Sequence, residues 1–187
     1  MCERFGSNNV VSLGLAIIGT AMVIFTTVGV GTPYWTLAVI FFLVGVGMGL
    51  TMAPSTTMVM DSIPHDKAGV GSATNDASRE VGGAFGIAIV GSAVNEIYQR
   101  EMSVPAGLES NSALISESFP AAIRIGNELL AQGNLIGVEL IENAQLAFVE
   151  GMTGAAAISA IVAFVNAVLV KLYMPIGVAK DSGDALA

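Results

Sequence analysis

Apolar residues are grouped along this chain in long runs rather than alternating with polar ones. A bilayer core of about 30 Å is crossed by roughly 20 helical residues, so uncharged runs of that length predict transmembrane helices. Three runs meet this test, at about residues 10–30, 35–60 and 153–170, and a fourth, at about 70–95, is long enough only if charged residues lie near its start. The pattern predicts an all-α, polytopic membrane protein with four transmembrane helices.

Composition favours the same class of protein. Mean hydropathy is +0.73 and 12% of residues are charged, where soluble domains have about a quarter. Cys2 is the one cysteine, and the sequence has no Cys/His cluster, no nucleophile–base pair and no phosphate-binding loop. We therefore expect no metal site, no cofactor, no nucleic-acid partner and no enzymatic activity, and we interpret His65 as a solvated loop residue.

The connecting segments suggest an orientation. Four spans place both termini on one side, and basic residues are enriched on the cytoplasmic side of membrane proteins. Arg4, Lys67, Lys171 and Lys180 flank one side, whereas Arg100 and Arg124 lie on the other. The predicted order is therefore a cytoplasmic loop (1–9), three spans (10–95), an extracytoplasmic segment (96–152), the last span (153–173) and a cytoplasmic tail (174–187), all in a plasma (inner) membrane.

The long segment 96–152 is acidic and partly amphipathic. It contains two arginines and eight carboxylates, namely Glu96, Glu101, Glu109, Glu117, Glu128, Glu139, Glu142 and Glu150. After Pro120, apolar residues recur at roughly helical spacing, and Gly133 and Asn134 interrupt them. We predict short amphipathic helices that form a cap on the bilayer surface or on the helix bundle, with a ligand-gathering lid as the alternative.

The second span combines glycines with a proline. Gly45 and Gly49 are four residues apart, which places them on one helix face where they would allow close packing. Pro54 removes a backbone hydrogen bond and bends a helix unless its neighbours compensate. Such a helix suits a moving, cavity-lining element, although a static kinked helix has the same sequence pattern.

The third span contains the charged residues. Asn75 and Arg79, and Asp76 and Glu80, are i,i+4 pairs, and Asp76 and Arg79 form an i,i+3 pair of opposite sign. Charges in hydrocarbon are costly, so these side chains should face protein or water. They form either an ion pair that holds the helix end or a group that handles protons or cations. The glycines Gly82, Gly83 and Gly86 follow them and favour tight helix packing.

The stretch from GVGMGLTMAPSTTMVM through GVGSATNDASREVGGAFGIA resembles the fourteen-helix drug:proton antiporters of the EmrB/QacA type, in the major facilitator superfamily. The matching residues are Gly71, Ser72, Ala73, Asn75, Arg79, Gly82, Gly83, Ala84, Gly86 and Ala88. The start of the chain is similar to the superfamily's D-R-x-G-R-R cytoplasmic signature at Arg4 and Gly6. Glu3 replaces its aspartate, and Asn8 and Asn9 stand where basic residues are usual.

The resemblance implies that the chain is a carboxy-terminal fragment: the last four helices of the second six-helix bundle, with the amino-terminal half missing. It implies export of hydrophobic or cationic drugs in exchange for protons, by alternating access, in contact with membrane lipid. Asp76 and Glu80 would be the acidic contributors and Arg79 their partner. Two alternatives stay open: a facilitator that exports another small solute, and a small four-helix structural or pore-forming membrane protein.

Overall fold

The computed structural model describes residues 6–64 and 67–174, and all regular structure within them is helical. The helices are α1 (Ser7–Phe25), α2 (Tyr34–Asp61), α3 (Ala68–Glu101), a 3-10 turn (Glu109–Asn111), α4 (Ser112–Glu117), α5 (Phe119–Ala131) and α6 (Ile136–Tyr173). Helices α1, α2, α3 and α6 are long and apolar enough to cross a membrane. The predicted all-α fold with four transmembrane helices is confirmed.

The helix ends differ from the positions expected from apolar runs alone. Helix α1 ends at Phe25, because the hydroxyls of Thr26 and Thr27 bond to the carbonyls of Val23 and Ile24 at 2.7 and 2.8 Å and close its last turn. At about 1.5 Å per residue, the 34 residues of α3 and the 38 of α6 measure about 51 and 57 Å. Both therefore exceed a bilayer core of about 30 Å.

Helix α6 is continuous from the amphipathic stretch into the last span. The side-chain oxygen of Asn134 accepts a hydrogen bond from the Ile136 N–H at 3.0 Å and caps the helix start. Gly133, with φ +77°, makes the turn that separates α5 from α6. No proline occurs between Ile136 and Tyr173. The second amphipathic segment is therefore the beginning of α6 and not a separate short helix.

The chain divides into two compact units. The first contains the described parts of residues 1–21, 38–84 and 160–187, and the second contains residues 22–37 and 85–159.

In the first unit, α1 and α2 approach each other through glycines. A Cβ added at Gly47 would lie 2.5 Å from Ile18 Cγ1 and 2.7 Å from the Gly14 carbonyl oxygen. A Cβ added at Gly14 would lie 2.8 Å from the Gly47 carbonyl oxygen. Backbone therefore contacts backbone, which is the close approach that glycine permits between membrane helices.

Helix α1 also contacts α6 in this unit. The Ser12 hydroxyl donates to the Ala167 carbonyl at 2.9 Å, and Gly19 lies against the ring of Phe164. The α6 residues buried in this unit are small: Ala160, Ala163 and Ala167. Small residues and one interhelical hydrogen bond hold α1 and α6 together, as expected where lipid removes the hydrophobic drive for helix association.

The second unit has an apolar core built from four helices. Its buried residues come from the end of α3, the loop after it, α4, α5 and the start of α6: Tyr98, Met102, Leu108, Ile115, Ala122, Ile125, Leu140, Ala144 and Ala147. The Tyr98 hydroxyl donates to the Ile115 carbonyl at 2.9 Å, in a buried position. This bond joins the end of α3 to α4 and fixes the tyrosine ring.

Gly47→Ala should destabilise the first unit. The added methyl group meets backbone and Ile18 at distances that real Cβ atoms do not adopt, and overpacking of this kind costs about 1–3 kcal/mol. The measurement is the unfolding free energy in mixed micelles titrated with SDS. Gly49→Ala is the matched control, since its Cβ meets nothing within 4 Å and the gain in helix propensity is the same. Equal stabilities of the two variants would contradict the α1–α2 contact.

Tyr98→Phe should loosen the second unit while leaving its volume unchanged. The Ile115 carbonyl would lose its hydrogen bond in a buried position, at a cost of about 1–3 kcal/mol. Hydrogen exchange of the α4 and α5 amides should become faster. Tyr34→Phe, at a side chain that is 84% exposed, is the control and should leave exchange unchanged. Exchange that is equally slow in both variants would show that the Tyr98 hydroxyl does not hold α4 in place.

Candidate functional site

Four polar residues lie together on one face of α3. At about 100° per residue, Asn75, Asp76, Arg79 and Glu80 span an arc of about 140° around the helix. We call these four residues the α3 polar face. The i,i+3 and i,i+4 spacings seen in the sequence therefore do bring the predicted site residues onto one surface.

The α3 polar face is not covered by any residue that the structure describes. Asp76, Arg79 and Glu80 are exposed and Asn75 is half-buried. Only 6% of the most apolar stretch of α3 is buried, against 33% for α1. Helix α3 is thus the candidate span with the fewest neighbours in the chain, although its charged residues need them most.

The charges on this face do not pair with one another. The Arg79 Nη2 group donates to the Met52 sulfur on α2 at 3.9 Å, a weak contact. Within residues 6–64 and 67–174, the ion pair closer than 4.0 Å is that of Arg100 with Glu96, at 3.7 Å. The predicted Asp76–Arg79 ion pair is therefore not formed, and the guanidinium has no carboxylate partner among the described residues.

The predicted glycines of α3 extend the same face. Gly82, Gly83 and Gly86 follow the polar residues along the helix, and a Cβ added at any of them would meet nothing within 4 Å. On the other side of α3, a shallow groove of about 670 Å³ follows small and apolar residues from Gly69 to Val81. Two faces of the helix therefore lack neighbours among the residues that the structure describes.

Pro54 lies inside α2, which continues through it. Proline cannot donate the hydrogen bond that the Leu50 carbonyl would otherwise receive. Around it, the Thr51 hydroxyl donates to the Gly47 carbonyl at 2.8 Å and the Ser55 hydroxyl to the Thr51 carbonyl at 2.7 Å. Such bonds to carbonyls one turn earlier favour helix bending. Pro54 is buried, so the irregular point of α2 lies against protein.

Helix α2 contacts α1 through Gly47, and not through Gly45 and Gly49, the glycines predicted to pack. Gly45 and Gly49 face open space, whereas Gly47, between them, contacts α1. The three glycines alternate along α2, so the sequence of α2 alone cannot choose between its faces. Gly14 on α1 is the signal that could have identified Gly47, because two close-packed helices need small residues at the same level.

The residues of the amino-terminal signature are only partly visible. Arg4 lies outside the described residues. Gly6 has φ +74°, and its carbonyl accepts a hydrogen bond from the Val10 N–H at 3.3 Å, so it forms the turn that leads into α1. In the part of the chain that the structure describes, no three His, Cys, Asp or Glu side chains are grouped as a metal ion would require.

The sequence of this chain matches the model of one protein family and several individual proteins. The model of the Major Facilitator Superfamily matches residues 1–97, which is more than half of the chain. The multidrug efflux pump LfrA of Mycolicibacterium smegmatis is 24% identical over 169 residues, covering 90% of this chain and 33% of LfrA. The methyl viologen resistance protein SmvA of Salmonella typhimurium is 26% identical, covering 69% of this chain and 26% of SmvA.

A third relative is a tetracycline resistance determinant of Streptomyces rimosus, 31% identical over 78 residues that cover 42% of this chain and 22% of the relative. The chain thus spans a third or less of the length of each of these relatives. No solved structure matches it significantly.

Proposed function

This chain belongs to the Major Facilitator Superfamily, and from this premise we propose that it is part of a proton-coupled efflux transporter for hydrophobic or cationic drugs. It is a multi-pass membrane protein. Its relatives are named for multidrug efflux and for resistance to methyl viologen and tetracycline, which supports drug efflux as the activity. Their greater length supports a transporter in which this chain supplies the last four helices of one bundle.

The uncovered α3 polar face is the observation that carries this proposal. An ionised side chain at the bilayer centre costs about 2.5–3.5 kcal/mol on insertion scales, so such residues face protein or a water-filled cavity. In this chain three charged side chains of a candidate span are exposed and not packed against the residues that the structure describes. Alternating access requires two bundles that enclose a site between them. We propose that the missing amino-terminal half, or the pathway it encloses, covers the α3 polar face.

Each residue of the site then has a role. Asp76 and Glu80 would bind and release protons, and Arg79 would supply a positive charge on the same face of α3. Asn75 supplies a hydrogen-bonding group on the same face. Gly82, Gly83 and Gly86 leave room for a neighbouring helix to approach closely. Pro54 gives α2 a bend beside this helix. No step involves covalent chemistry, so we propose no enzymatic activity and no cofactor.

The basic residues support an orientation in the inner membrane with both termini in the cytoplasm. Lys67 precedes α3 and Lys171 lies in the last turn of α6, which would place these two helix ends on the cytoplasmic side. The acidic segment 96–152 would then lie outside. Arg4 and Gly6 would belong to the cytoplasmic signature loop.

In an intact transporter containing this segment, Glu80→Gln and Asp76→Asn should each lower proton-driven ethidium efflux about tenfold, equivalent to about 1.4 kcal/mol in the limiting step. The reason is that an amide cannot take up and release the coupled proton. Glu101→Gln, the same change at the far end of α3, should leave efflux unchanged. Membrane abundance should be equal in all variants. Normal efflux in both site variants would remove these carboxylates from the mechanism.

The chain alone should not transport. Reconstituted into vesicles with an imposed proton gradient, it should give no ethidium accumulation and no ion leak, because half of the enclosing site is absent. Ion leak that rises with the amount of protein would favour the small pore-forming membrane protein instead. For an intact transporter, competition by sugars or organic anions, but not by drugs, would favour a facilitator for another solute.

A further inference from the structure

The second unit contains a groove of about 400 Å³ with an aromatic wall. We call it the aromatic groove and define it by five residues that line it: Asn95 and Tyr98 from α3, Glu117 from α4, Phe119 from α5 and Phe148 from α6. All of them belong to the second unit, whereas the α3 polar face belongs to the first. The groove therefore shares no residue with the α3 polar face.

The three rings of the aromatic groove are held in fixed relative positions. Phe119 and Phe148 stack with ring centroids 4.4 Å apart and an interplanar angle of 16°. Tyr98 meets Phe119 edge-on, with centroids 6.2 Å apart at 86°. The Tyr98 hydroxyl is anchored on the Ile115 carbonyl. Phe119 and Phe148 are only partly buried, and both line the groove.

The charge of the aromatic groove is negative. Glu117 is exposed and makes no ion pair with any residue that the structure describes. Among the described residues, no lysine or arginine lines the groove. An aromatic face attracts a cation through its quadrupole, and a neighbouring carboxylate adds direct attraction. This pairing of rings with an unpaired carboxylate distinguishes the groove from a merely apolar depression.

We propose that the aromatic groove binds a flat aromatic cation. Phe119 and Phe148 would supply the π surface, and Glu117 would supply the counter-charge. A cavity of about 400 Å³ lies at the lower end of the range for small-molecule sites and suits a cation of about two fused rings. The groove is a binding site in its own right, so the inference does not require that the chain transports anything.

The test uses the whole 187-residue chain in nanodiscs of uncharged phosphatidylcholine. Equilibrium dialysis at pH 8 measures binding of 1-methylquinolinium, a permanent cation, and of quinoline, its neutral counterpart, with empty nanodiscs subtracted. Saturable binding of the cation, tighter than that of quinoline, is expected. Absence of saturable binding, or equal affinity for the two compounds, would overturn the proposal.

Two carboxylate variants locate the site. Glu117→Gln should weaken 1-methylquinolinium binding about threefold, the effect of one exposed charge pair, and should leave quinoline unchanged. Glu128→Gln removes an equally exposed carboxylate of α5 that does not line the groove, so it should have no effect. Equal weakening by both variants would indicate attraction to the acidic unit as a whole and would overturn the assignment.

A ring variant tests the aromatic contribution. Phe148→Leu keeps an apolar side chain but removes a π face, so it should weaken binding of the cation about threefold or more. Since Phe148 also packs on the core, a circular dichroism spectrum must first show unchanged helix content. If that spectrum changes, the effect of Glu117→Gln on cation binding alone decides whether the cation binds in the aromatic groove. No proton gradient is applied, so loss of this binding and loss of efflux in an intact transporter are separate outcomes.

Discussion

Hydrocarbon offers no hydrogen-bond partner, and this constraint governs the chain from end to end. Polar side chains in the candidate spans bond to their own helix one turn earlier: Thr20 to the Ala16 carbonyl at 2.8 Å, Ser159 to Ala155 at 2.9 Å and Asn166 to Val162 at 2.8 Å. The hydroxyl hydrogens of Thr20 and Ser159 therefore need no donor–acceptor partner outside their own helix. A charged side chain cannot be satisfied by its own helix in this way, so inside a span it must face other protein groups or water.

Helix α3 is where residues 6–64 and 67–174 leave this constraint unmet. It carries an uncovered arginine and two carboxylates, and it is also the least buried of the four candidate spans. Helix α1, in contrast, is packed on both α2 and α6 and carries no charge. The contrast supports a division of roles: α1 joins helices of this chain to one another, and we infer that α3 faces the remainder of a longer protein.

The sequence predicts the spans well because length and hydropathy alone decide whether a helix can cross a bilayer. It also predicts the α3 polar face, since helical spacing places Asn75, Asp76, Arg79 and Glu80 on one side. It does not predict that Gly47, rather than Gly45 and Gly49, contacts α1, because that choice depends on a partner helix. The aromatic groove is equally invisible, since Tyr98, Phe119 and Phe148 are brought together only by the fold of the second unit.

The break that Pro54 makes in the backbone hydrogen bonds of α2 has a mechanical consequence. Gly47 binds this helix closely to α1, whereas seven residues later, about 10 Å along the axis, Pro54 leaves one backbone bond unmade. A helix that is held by a close contact at one residue and lacks a backbone hydrogen bond nearby bends most easily where the bond is missing. The missing bond makes Pro54 the point of α2 at which bending costs least, so a bend there would move Ser55 to Asp61 and leave the Gly47 contact with α1 in place.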